Sequence, residues 1–156
     1  MGWIKTVLGI VVVAAFLATV AGPLGPLPSA VLGGTEAAVP DEWSSIDLPD
    51  TIQLRTDGTI FPRVVNLWIV EDGNELYVFG ANDSEWVKNL KESPSAGLRV
   101  GEQTFELRAR SITPPDLTIY DKYVNRYAED YPDITSGLPS HEEALVGGAM
   151  FKLGRI

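Results

Sequence analysis

The residues that could do chemistry here are few, and most of them are cations. The sequence of 156 residues has no cysteine and one histidine. Thiol nucleophiles, disulfides, iron–sulfur clusters and any site needing two imidazoles are therefore excluded. The lone His141 has no nucleophile beside it. Ser140-His141-Glu142-Glu143 instead spells a capping box, in which the glutamates serve a helix start, not a metal. What remains is anion-holding chemistry. Arg63 shares an alternating face with Val65 and Leu67, where a guanidinium is costly unless an anion or carboxylate meets it. Lys88 lies one turn into an expected helix, whose first N–H groups have no intrahelical partner and attract anions. Each has a plainer reading: an ion pair for Arg63, and an i, i+4 pair with Glu92 for Lys88. Trp68 and Trp86 could stack on a planar ring or simply fill a core.

The elements that must position these groups follow from hydrophobic period. Residues 51–56 alternate and end at an Asp57-Gly58 turn. A long strand, 60–70, is apolar on both faces and needs cover on both. After Asp72-Gly73 comes a strand over 76–81. Asn82, Asp83 and Ser84 then offer N-cap side chains to a helix over 85–92, stopped by Pro94. Two more strands, 96–100 and 104–112, meet at Gly101; Arg108 and Arg110 alternate outward on the second. Pro114-Pro115-Asp116 opens another helix, whose apolar stripe is Leu117, Tyr120, Val124, Tyr127 and Tyr131. A final strand spans about 145–153. The expected fold is α+β: a six-stranded split β-barrel with two helices.

The first 35 residues are a separate physical object. From Thr6 to Thr35 no residue is charged, and the run is long enough to cross a bilayer. Residues 1–35 are expected to be a membrane anchor and the start of a linker, with one transmembrane helix over residues 6 to about 25. A cleaved signal peptide is the competing reading. Residues 36–50 read as linker and 51–156 as the barrel domain. Lys5 is the one cation near the span, which puts the domain on the non-cytoplasmic side. With 21 acidic against 12 basic side chains the net charge is −9, so nucleic acid is excluded as a partner.

The order of these elements carries a resemblance. Pro62-Arg63 opens a strand with Asn66-Leu67-Trp68 in its middle; an Asp-Gly turn and a strand ending Gly80-Ala81 follow. Then comes Ser84-Glu85-Trp86-Val87-Lys88-Asn89-Leu90, with Pro94 behind it. This resembles the split β-barrel flavin-binding superfamily of the pyridoxamine-phosphate-oxidase type, closest to its deazaflavin-dependent nitroreductase branch. The resemblance implies FMN or the deazaflavin F420 as cofactor, and a homodimer with the cofactor between subunits. Arg63 matches a basic position that meets the cofactor. Asn82, Ser84, Trp86 and Lys88 match the loop and helix start facing its phosphate arm, and Asn66 and Trp68 border the ring. The expected function is a membrane-tethered flavin- or deazaflavin-dependent oxidoreductase acting on a small molecule. The alternative is a non-enzymatic binding or scaffolding module that has lost its cofactor, which the acidic Asp83 and Glu85 beside the phosphate position favour.

Overall fold

The computed structural model describes residues 31–58 and 60–156. Eight strands form one sheet: β1 (Thr35–Glu36), β2 (Thr51–Thr56), β3 (Arg63–Trp68), β4 (Val70–Asp72), β5 (Glu75–Ala81), β6 (Ser95–Val100), β7 (Gln103–Ile112) and β8 (Gly148–Gly154). Among the described residues there are four α-helices: α1 (Glu85–Glu92), α2 (Leu117–Ala128), α3 (Pro132–Thr135) and α4 (His141–Gly147). The class is thus α+β, with two more helices than the sequence suggested and eight strands in place of six: β1 lies in the expected linker, and one expected strand is split into β3 and β4.

The main path runs β3-β2-β6-β7-β8-β5-β4, antiparallel throughout. Its two end strands, β3 and β4, are one run of chain broken only at Ile69. The sheet therefore curls back on itself into a half-barrel. The strand expected over 60–70 begins later and breaks at Ile69, because its second part turns to pair with β5 at Val70–Tyr77. The Tyr127 hydroxyl fills the break: it accepts from the Ile69 N–H at 2.9 Å and lies 2.7 Å from the Ile69 carbonyl. A helix side chain thus stands in for the missing strand partner.

Two apolar cores result. Inside the curl, Ile52, Leu54, Leu98, Phe105, Leu107, Phe151 and Leu153 pack with Trp86, Val87 and Leu90 of α1. Outside it, α2 lays Ile119, Tyr120, Tyr123 and Tyr127 over Val70, Phe79 and Met150. The expected stripe on α2 is correct at Tyr120 and Tyr127 but omitted Ile119 and Tyr123, which are also buried. β8 starts at Gly148, not at 145, because the Ser140 capping box forms with both of its hydrogen bonds and launches α4 first.

Residues 36–50, expected as linker, lie along the barrel. β1 pairs in parallel with Gln103 and Thr104, on the edge of β7 that β8 leaves open. Trp43 is 4% exposed and meets Phe105 edge-on at 5.3 Å. Among the described residues no helix is long and apolar enough to cross a membrane. The expected span, residues 6 to about 25, lies outside them.

Candidate functional site

The α1 helix begins without a side-chain cap. Ser84 occupies the N-cap with extended backbone, but its hydroxyl makes no capping bond, contrary to the expectation. The N–H groups of the first turn, residues 85–87, are therefore left to an outside acceptor. Beside them stand Arg63, at the start of β3, and Lys88. Strand pairing sets Arg63 directly opposite Thr56, and the Thr56 hydroxyl accepts from Asn89 of α1 at 3.1 Å. That bond ties the β2–β3 end to the helix. Arg63 is near enough to α1 to act on Glu85. The hydrogen bond from Lys88, then the charges of Lys88 and of Arg63, hold the Glu85 carboxyl below the usual carboxylate range. Lys88 reaches Glu85 at 2.7 Å, not Glu92 as expected. The same contact raises the ammonium above its ordinary value.

Arg63 makes no side-chain hydrogen bond or ion pair among the described residues, and it is half-buried beside Val65 and Leu67. The donor set here is a guanidinium, three helix N–H groups and an uncapped hydroxyl. It fits a phosphate-type anion, provided Glu85 stays bound to Lys88.

The other candidate residues divide. Asn82 lies at the same corner, accepting from Lys91 at 2.7 Å and donating its backbone N–H to Gly147 of α4 at 2.8 Å. Trp86 is 7% exposed. Its indole covers Gly80 and lies 6.0 Å from the Phe151 ring, inside the core and off any open surface. Asn66 and Trp68 are on the opposite face of β3 from Arg63, as the period of two requires. Trp68 stacks on Tyr127 at 4.3 Å, with Tyr131 beside it at 5.4 Å. Arg63 and Lys88 thus both act on Glu85, beside the Ser84 N-cap, and Asn82 joins the preceding turn to α4; Asn66 and Trp68 lie on the other face of β3.

Next to that corner is a cleft of about 500 Å³. Phe79, Gly80, Ala81, Tyr123, Leu138, Pro139 and Gly147 line it, with Glu143 as its one ionisable carboxylate. Its size and lining suit a small planar molecule. Burial pushes the Tyr123 phenol far above its ordinary value, with Tyr127 and Tyr120 adding to the shift. The cleft was not legible in the sequence, since it depends on the α3–α4 segment folding back over α2. The Tyr120 hydroxyl holds that segment by donating to the Pro139 carbonyl at 2.6 Å. His141 reaches back to Asp121 at 2.6 Å.

Comparison with known proteins bears on the family and the fold. A family model described as F420H(2)-dependent quinone reductase matches residues 35–140, a stretch that contains both the α1 corner and α2. No curated protein is detectably similar. Among solved structures, one described as an F420 reductase aligns with TM-score 0.53 and 19% identity, over 76% of this chain and 96% of the other. The heme storage protein HutZ from Vibrio cholerae aligns with TM-score 0.51 and 20% identity, over 69% and 82%. A NimC/NimA family protein from Clostridium acetobutylicum aligns with TM-score 0.50 and 13% identity, over 66% and 72%. At these identities the structural likenesses establish the fold alone.

Proposed function

The chain belongs to the F420H(2)-dependent quinone reductase family, and from that premise we propose that it is a deazaflavin-dependent oxidoreductase reducing a planar acceptor of the quinone class. The family match over residues 35–140 carries this reading and puts F420 ahead of FMN. The α1 corner supports it, being a set of donors next to an apolar cleft. A bound deazaflavin supplies hydride-transfer chemistry, so the protein needs no nucleophile of its own.

The chain's own contribution is binding and environment. Arg63, the N–H groups of residues 85–87 and the Ser84 hydroxyl hold the anionic arm. Lys88 adds positive potential but is shared with Glu85. The cleft offers a bound ring an apolar wall in Phe79, Tyr123 and Leu138. Its Tyr123 keeps its proton throughout the neutral range, so it can orient a ligand by hydrogen bonding but does not serve as a base.

The same reading makes the protein a homodimer. It also holds the domain to a membrane through residues 6 to about 25, on the non-cytoplasmic side by the evidence of Lys5. The test is a titration of the full chain with F420 and with FMN, followed by fluorescence. F420 is expected to bind, and Arg63→Ala to bind it roughly 10- to 150-fold more weakly while melting at the parent temperature. Binding of neither cofactor by the parent would move the scaffolding alternative ahead.

A further inference from the structure

We propose that the outer face of the β2–β6–β7–β8 sheet is a membrane-contact surface that takes anionic lipid headgroups. The strand register assembles it. Arg55 and Glu106 are both opposite Gly97, Arg99 is opposite Gln53 and Thr104, Arg108 is opposite Ser95 and Gly154, and Arg110 is opposite Lys152. Directly opposed residues project to one side of a sheet. Arg55, Arg99, Arg108, Arg110 and Lys152 therefore share a face, five of the 12 basic residues in a chain of net charge −9. Four carboxylates stand among them, and three are engaged: Glu106 with Arg55 at 2.7 Å, Glu102 with Arg99 at 3.2 Å, Glu75 with Lys152 at 2.6 Å. The fourth, Glu36 of β1, is set opposite Thr104, is exposed and makes no ion pair among the described residues. At the α2 margin Asp72 is engaged with Lys122. Arg108 and Arg110 are exposed and make no side-chain hydrogen bond or ion pair among the described residues. Arg110 faces Lys152, whose charge Glu75 already meets, so the Arg110 guanidinium is left to an outside anion.

The path of the chain selects a bilayer as the anion. Leu32 is buried on this face, over Gly97, and its carbonyl accepts from Arg99 at 3.2 Å. The chain thus enters the domain across the basic surface. The proposed span ends near residue 25, and six residues reach at most about 20 Å. The basic face is therefore tethered within reach of the headgroups of that bilayer. There each cation adds attraction to anionic lipid that decays over roughly one Debye length. This step rests on the proposed anchor; the charge asymmetry does not.

The two can be separated by sedimenting the full chain with vesicles of phosphatidylcholine alone, and with vesicles containing about 30% phosphatidylserine. Binding to neutral vesicles reads the anchor. The extra binding to anionic vesicles reads the face. That extra binding is expected in the parent, shrinks at high salt, and falls about 30-fold in Arg108→Gln/Arg110→Gln, about 5-fold for each arginine removed. Neutral-vesicle binding and the melting temperature of the variant should equal the parent's. Arg126→Gln, on α2 where the guanidinium donates to the Leu48 carbonyl, should leave the anionic preference unchanged. No anionic preference in the parent, or one that survives in the double variant, overturns the proposal. So does a polyanion site that binds oligonucleotide through the two arginines while lipid composition has no effect.

Discussion

Glu85 and Arg63 compete for the same corner in opposite senses. Arg63 and the helix N–H groups welcome an anion, whereas Glu85 brings a fixed negative charge to it and engages Lys88. The pair is exposed, so the ion pair itself contributes little to stability. Its effect is on the ligand. Glu85→Gln should release Lys88 and remove the repulsion, tightening F420 binding by about 2- to 5-fold, the scale of one exposed charge contact. Isothermal titration at low salt checks this; weaker binding by the variant would mean that Glu85 itself meets the ligand. The tension between acid and base was legible in the sequence, because Asp83, Glu85 and Lys88 are neighbours in a helix start. The nearness of Arg63 was implied by the family resemblance and not by any local pattern, because it depends on the β2–β3 end folding onto α1 through Thr56 and Asn89.

At the scale of elements, α1 and β5 fit because Gly80 has no side chain. A Cβ placed there would run into the Trp86 indole. Gly80→Ala should cost about 1–3 kcal/mol, since the ring must move against Phe151 in a close-packed core. Denaturant unfolding checks the loss, and Trp86→Leu in the same chain should recover part of it. Local signals placed such elements well: Ser84 and Pro94 bracket α1, Asp116 caps α2 by accepting from Thr118 at 2.8 Å, and Ser140–Glu143 closes its box. Long-range partners set the rest. The break at Ile69 lies inside an unbroken apolar run, so nothing local announces it. Residues 36–50 are rich in Pro and Ser and read as linker, yet Asn74 pins them by accepting from the Trp43 N–H at 2.6 Å and donating to the Asp41 carbonyl at 2.8 Å. Trp86 looked available for stacking because helical spacing does not say which face is inward.

At the scale of the whole molecule, apolar surface remains around the α1 corner. Ile60 and Phe61, between β2 and β3, are 81% and 73% exposed, and Val146 at the end of α4 is 80% exposed. A second copy covering them accounts for the proposed homodimer. Sedimentation of the detergent-solubilised chain should give a dimer that Phe61→Ser weakens at least tenfold; a monomer at micromolar concentration would refute it. The tyrosine in the Ile69 break has a consequence of a different kind. One hydroxyl joins three parts of the chain: it accepts from Ile69 and has the carbonyls of Ile69 and Asp50 within 3.0 Å, though it has one proton to give. Replacing it with phenylalanine should cost about 1–3 kcal/mol, because buried backbone groups lose their partner. When that cost is felt is a question of kinetics. Residues 69 and 127 are 58 positions apart, and joining them closes a long loop that rewards the chain only after α2 has docked. The curl would then be among the last things to form. Tyr127→Phe should leave the refolding rate nearly untouched and speed unfolding, and a slowed refolding arm would instead place this tyrosine in the folding nucleus.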